Sequence, residues 1–287
     1  LGIALIPQML AAGYSQRFTT GVIAAGGTLG ILIPPSINMI LYSAVTDLPV
    51  LDLFRAGVKP GLVLAGLFLL VIAWWNRISP LPILPRLPSV ERRTQLLAGL
   101  PVLLLPVIVL GAIYSAVLTV TESAIAGIAY AVALQSLWYR DFTWRQLYQA
   151  LARTVKTTSM IYLIIGTASL FAYLLTLSQI PQAMAAQLAP LMSFSPVAFY
   201  VAAMLLLVLL GMFIDVAAIT YIAVPMLDLV LRQHGLDRVQ FAMMFVINME
   251  MGLITPPFGL NTFIVAAAAK VPISEVVRGA APFVAAM

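Results

Sequence analysis

Apolar residues run along this chain in long stretches, and polar ones gather between them. Runs of the length a helix needs to cross a bilayer, about 20 residues, fall at 18–45, 57–75, 96–116, 119–139, 158–178, 196–231 and 239–270, with another beginning near 276. The pattern predicts an all-α polytopic membrane protein. Three runs depart from plain spans. Adjacent prolines interrupt 18–45 and 239–270, and 196–231 is too long for one crossing and broken at "LLGMFIDVAA". The last is read as a re-entrant hairpin turning at Gly211 to Asp215, which is tolerated where its tip is buried in protein or faces water.

The polar stretches set the orientation. "NRISPLPILPRLPSVERRTQ" reads as a connecting loop, and its Arg77, Arg86, Arg92 and Arg93 assign it to the cytoplasm, with Trp74 and Trp75 as interfacial anchors. Two crossings later Arg140, Arg145, Arg153 and Lys156 fall on the same side. Leu147, Leu151 and Val155 recur every four residues among these basic groups, which fits either an amphipathic helix along the interface or an ordinary connection. "SQIPQAMAAQLAPLMSFSP" carries no charge and suits the outer face; Arg55 and Lys59 mark an outer loop.

Composition removes most other classes. At 62% hydrophobic and 9% charged the chain is no water-soluble domain. The formal charge of +5 comes from basic residues clustered between apolar runs, so it reports topology and not nucleic acid. Without cysteine, and with His234 as the one histidine, neither a thiolate nor a multi-histidine metal site is available. No phosphate-cradling loop occurs, so the energy source is an ion gradient and not ATP. An intramembrane hydrolase built on Asp215 and Glu250 lacks a nucleophile or metal ligands to accompany them.

The two proline breaks belong together. "GGTLGILIPPSIN" and "MEMGLITPPFGLN" share a glycine, three residues and two prolines, at an offset of 222: Gly30 pairs with Gly252, Pro34 with Pro256, Pro35 with Pro257 and, upstream, Gly13 with Gly235. Asn38 and Asn261 lie one position out of register. By the loop assignments the first copy runs outward and the second inward, which is the inverted-repeat pattern of secondary transporters. A proline leaves the carbonyl four residues back without its helical donor, so the breaks free Gly30, Ile31, Gly252 and Leu253. Such oxygens are hard ligands suited to sodium. Thr28, Ser36, Asn38, Thr255 and Asn261 add side-chain oxygens and amides nearby.

"AAGGTLGILIPPSINMILYSAVT", "TVTESAIAGIAYAVAL", "GMFIDVAA" and "MGLITPPFGLNTFIV", in this order, resemble the large membrane subunit (DctM type) of tripartite ATP-independent periplasmic (TRAP) transporters. The resemblance implies a sodium-coupled importer of small organic acids, of the C4-dicarboxylate or sialic acid class, in the bacterial inner membrane. Its implied partners are a four-helix small subunit (DctQ type) and a periplasmic solute-binding protein (DctP type). It also implies an elevator mechanism, with two hairpins and two broken helices sliding against a scaffold. The sodium-binding set carried over is Thr28, Gly30, Ile33, Pro34, Gly211, Asp215, Gly252, Thr255 and Pro257; the substrate-binding set is Ser36, Asn38 and Asn261. A carrier of related fold that needs no binding protein, a dicarboxylate symporter or an anion antiporter, is the alternative.

The expected organisation is the end of the first repeat at 1–78, a cytoplasmic loop at 79–95, scaffold helices with the interfacial arm at 96–178, and the second repeat at 179–287. The first hairpin, with its small-residue tip, is expected just before Leu1, and the last helix is expected to be incomplete. Among the acids, Asp215 is read either as support for an ion site or as a helix cap. Glu250 is read as a coupling group or as a structural hydrogen-bond acceptor for the hairpin, and Glu122 as a helix-start carboxylate. Asp228 and His234 are read as ordinary groups near the outer surface.

Overall fold

The chain is described by a computed structural model covering residues 2–83, 88–179, 183, 195–257 and 259–287. Among these residues it is helical without strands. The helices are α1 (Gly2–Ala11), α2 (Gln16–Leu32), α3 (Ile37–Thr46), α4 (Val50–Ile78), α5 (Ser89–Tyr114), α6 (Val120–Ala133), α7 (Trp144–Leu177), α8 (Pro196–Gly211), α9 (Val216–Gln233), α10 (Arg238–Ile254), α11 (Leu260–Ala269) and α12 (Ile273–Val284). A single π turn, Leu134–Trp138, extends α6. Among the described residues five helices are long and apolar enough to cross a membrane, or six when α2 and α3, bent by 40° at their break, count as one span.

Short polar side chains start these helices. Ser15, Ser36, Ser195, Asp215 and Asp237 each accept a hydrogen bond from an amide in the first turn, groups that hydrocarbon would leave unsatisfied. Thr119 and Glu122 form a reciprocal capping box at α6, with Glu122 accepting from the Thr119 amide at 2.7 Å. Glu122 is therefore the helix-start carboxylate the sequence predicts.

The chain divides into two compact units, Leu1–Pro82 with Leu163–Met287, and Ile83–Tyr162. In the smaller unit α5 packs on α6. Tyr130 and Tyr139 donate to the carbonyls of Pro101 and Ala98, each at 2.7 Å. In the larger unit α10 is the central element: Phe241, Phe245, Val246 and Met249 are fully buried, and α2, α3, α4, α8 and α11 all pack on it. The α2–α12 crossing is the tightest, because Gly21 faces Gly279 there; a Cβ on Gly279 would lie 2.1 Å from the Arg17 carbonyl oxygen.

The 222-residue offset extends to the element bounds. Adding 222 to Gln16–Leu32 gives Arg238–Ile254, and the N-caps Ser15 and Asp237 correspond in the same way. Both are preceded by a glycine of positive φ, Gly13 at 86° and Gly235 at 62°, a conformation glycine adopts without penalty. After the break the correspondence slips by one: Ile37–Thr46 maps to 259–268, and α11 is Leu260–Ala269. The second break is thus one residue longer, which explains why Asn38 and Asn261 fall out of register. Each copy then ends in a left-handed residue, Asp47 and Lys270, and the next helix follows a proline, Pro49 and Pro272.

Four features differ from the sequence reading. Helix α4 begins at Val50, so Arg55 and Lys59 are exposed helical residues and not an outer loop. Helix α5 begins at Ser89 and takes Glu91, Arg92 and Arg93 out of the connecting loop; helix-forming side chains there extend the run that apolarity alone starts at 96. Helix α7 is continuous over 34 residues, so Leu147, Leu151 and Val155 lie on the same helix as the apolar run that follows them.

The fourth difference is Asp228, which is buried. It accepts from Arg232 Nε at 2.7 Å and from Arg238 Nε at 2.6 Å, and both guanidinium groups also donate to the Thr46 carbonyl. This cluster clamps the end of α9 and the start of α10 to the end of α3. Arg86 and most of the uncharged segment after Ser178 lie outside the described residues.

Candidate functional site

Both breaks are present. Helix α2 stops at Leu32 and α3 starts at Ile37; α10 stops at Ile254 and α11 starts at Leu260. The Pro34–Pro35 and Pro256–Pro257 peptides are both cis. At the first break Pro34 and Pro35 withhold the donors that would reach the Gly30 and Ile31 carbonyls. Gly30 is exposed, with open space where a Cβ would stand. The second break differs. The Gly252 carbonyl accepts from the Thr255 amide at 3.3 Å, so Leu253, and not Gly252, is the carbonyl left without a helical donor.

The side chains of the predicted set are placed as follows. Thr28 is buried and donates to the Ala25 carbonyl at 2.7 Å, which leaves its oxygen lone pairs available. Ser36 is buried and accepts from the Met39 amide at 3.4 Å as the cap of α3. Thr255 donates to the Met251 carbonyl and terminates α10. Pro34 is buried, Asn38 and Asn261 are half-buried, and Pro257 is exposed. Ile33 turns toward α4, where its side chain would contact a Cβ on Gly61.

The hairpin tip meets the second break. Gly211 ends α8, Asp215 begins α9, and Gly211 is in backbone contact with Gly252: a Cβ on Gly252 would lie 2.7 Å from the Gly211 carbonyl carbon. A cavity of about 140 Å³ opens beside this contact, lined by residues 211–215 with Leu253 and Leu260. Asp215 itself is exposed and accepts from the Ala217 amide at 2.9 Å, the capping geometry. Helix α2 packs on α10 and α11, and a second cavity of about 330 Å³ lies between α1, α2 and α11, lined by Ala24, Gly27 and Asn261 among others. Thus Gly211 and Asp215 line one cavity, beside the Gly211–Gly252 contact, and Asn261 shares the other with Ala24 and Gly27 of the first broken helix.

Glu250 is fully buried one turn before the break, and neither carboxyl oxygen has a hydrogen-bond partner among the described residues. The predicted hydrogen bond to the hairpin is not formed. Among the described residues no group of three or more His, Asp or Glu side chains gathers as a metal site. The oxygens at hand are backbone carbonyls and threonine hydroxyls. They are hard donors, unlike the thiolate and imidazole groups that hold zinc or copper.

A multi-pass helical membrane protein with an interrupted helix at the centre of its larger unit is what these elements define. The family model for the tripartite ATP-independent periplasmic transporter, DctM component, matches residues 1–287, and the chain belongs to that family. It is 38% identical over 283 residues to the C4-dicarboxylate TRAP transporter large permease protein DctM of Pseudomonas aeruginosa, covering 99% of this chain and 66% of that protein. It is 32% identical over 286 residues to the 2,3-diketo-L-gulonate TRAP transporter large permease protein YiaN of Escherichia coli, covering 98% and 66%. The sialic acid TRAP transporter permease protein SiaT of Haemophilus influenzae is 32% identical over 287 residues, covering 99% and 46%. The chain thus spans about two thirds of the length of the first two relatives. These relatives are transport permeases and not enzymes.

Proposed function

We propose that this chain is part of the large permease subunit of a sodium-coupled importer of small organic acids in the bacterial inner membrane. It works with a small membrane subunit and a periplasmic binding protein. The observation that carries the reading is the pair of Gly-x-x-x-Pro-Pro breaks in two stretches of equal element length, one of which is closed by a hairpin tip. A break of this kind leaves backbone oxygens that must find protein, water or an ion. Gly30 and Ile31 supply carbonyls beside Thr28 at the first break and Leu253 supplies one beside Thr255 at the second, and we assign coupling sodium to these two sets, with Gly211 and Asp215 shaping the hairpin side of the second. Ser36, Asn38 and Asn261, at the starts of the second half-helices, are assigned to the carboxylate substrate.

The two copies run in opposite directions across the membrane, and the larger unit is the moving transport domain, with the smaller unit as scaffold. In this elevator scheme the carbonyls and hydroxyls exchange the hydration shell of sodium for fixed ligands. Substrate loading and sodium loading are then linked because both use the same interrupted helices. Proteoliposomes holding the reassembled complex test the reading. Uptake of a small carboxylate should persist without ATP and stop when sodium is replaced by potassium or choline. Sodium-independent or ATP-dependent uptake overturns it.

A further inference from the structure

A third cavity in the larger unit is separate from the breaks. It measures about 420 Å³ and lies where the start of α2, the end of α4 and α12 converge, with Ser15, Arg17, Trp74, Trp75, Ser79 and Arg278 on its walls. Arg17 has no ion-pair partner among the described residues. Arg278 approaches Glu275 only at 3.4 Å, longer than the 2.7–2.9 Å of a strong charge-assisted bond. The two arginines are neighbours because Arg17 and Gly279 touch through their backbones. Trp75 is held edge-on to Phe18 at 5.5 Å, whereas Trp74 is 54% exposed.

This cationic cavity continues into an apolar one. A groove of about 390 Å³ shares Trp74 and Pro282 with it and runs on along Leu67, Leu70 and Val71 of α4. A chamber whose mainly apolar walls bear two guanidinium groups and two hydroxyls, with tryptophan at its rim and an aliphatic groove leading away, has the two ends of an amphiphile. A free anion would use only the first end. We infer that the Arg17–Arg278 chamber is a binding site for the phosphate headgroup of an anionic phospholipid, with an acyl chain along α4. The inference rests on the orientation proposed above, which puts the end of α4 at the cytoplasmic leaflet, where anionic headgroups and basic pockets meet.

Phosphatidylglycerol is the probe, with the full-length subunit and its small partner in nanodiscs. Native mass spectrometry after delipidation should retain phosphatidylglycerol over phosphatidylcholine, and brominated phosphatidylglycerol should quench tryptophan fluorescence more than its choline counterpart. Trp74→Phe should remove most of that difference. The double variant Arg17→Gln/Arg278→Gln should weaken retention about thirtyfold, from about fivefold for each guanidinium near the surface, and Arg17→Lys/Arg278→Lys should keep most of it.

Equal retention of the two lipids, unchanged retention in the glutamine variant, or displacement by millimolar inorganic phosphate overturns the proposal. If the glutamine variant does not fold, the quenching comparison on the unaltered chain and on Trp74→Phe decides. Lipid preference is read without transport, so it fails or stands separately from sodium coupling.

Discussion

Gly252→Ala is the sharpest perturbation of the contact between hairpin tip and broken helix. The added Cβ would lie 2.7 Å from the Gly211 carbonyl carbon and 2.9 Å from its Cα and oxygen, where ordinary contact begins at 3.4 Å. The tip or α10 must therefore move by about 0.7 Å, the difference of those two distances. The obstacle is backbone, which cannot rotate aside as a side chain would. Overpacking of this kind costs about 1–3 kcal/mol, a fall of roughly 5 °C in melting temperature for a chain of this size.

Because the moved groups border the cavity beside Leu253, the sodium concentration giving half-maximal uptake should also rise. Thermal unfolding followed by tryptophan fluorescence, and sodium-titrated uptake by the purified complex, measure the two effects. The matched glycine is the control: Gly30 has nothing within 4 Å of its ideal Cβ, so Gly30→Ala should leave stability unchanged or slightly raised, as alanine favours the helix. Unchanged melting and sodium response for Gly252→Ala, or equal damage from Gly30→Ala, refutes the reasoning.

Two further outcomes follow from other contacts. Asp228→Asn leaves two guanidinium groups without their carboxylate and should cost about 2 kcal/mol, below the range for fully buried pairs because the Arg232 side chain is 50% exposed; Arg232→Gln should cost less than half of that, read by thermal unfolding. Thr119→Ala removes the capping box of α6 and should cost about 1 kcal/mol, visible as faster amide exchange in the first turn of α6 with no change at the helix breaks.

Local chemistry was legible in the sequence, and long-range contact was not. The breaks could be read because proline and glycine act on their own backbone within four residues, and the interruption between α8 and α9 because an apolar run of 196–231 exceeds one crossing. Asp215 as a cap and Glu122 as a first-turn carboxylate are likewise local. The Asp228 cluster was missed because its fourth member, the Thr46 carbonyl, lies 186 residues from Arg232 and 192 from Arg238, and a main-chain acceptor leaves no mark in composition. The Gly211–Gly252 and Gly21–Gly279 contacts were missed for the same reason: a glycine's sequence does not say what presses against it. Glu250 could be picked out as an intramembrane acid, but its lack of partners is a property of packing alone.

An interrupted membrane helix has four ends where a continuous one has two. Each break sets the carbonyl end of one half, α2 or α10, opposite the amide end of the next, α3 or α11, so partial negative and partial positive poles face one another inside the protein. Ser36 occupies only one of the amides at the start of α3, and Gly259, the residue before α11, brings no side chain to cap it. The polarity of the peptide unit therefore sorts charge without any ionised side chain. In the scheme proposed above, a cation would be drawn to one lip of the gap and an anion to the other, and a displacement of the half-helices would carry both poles together.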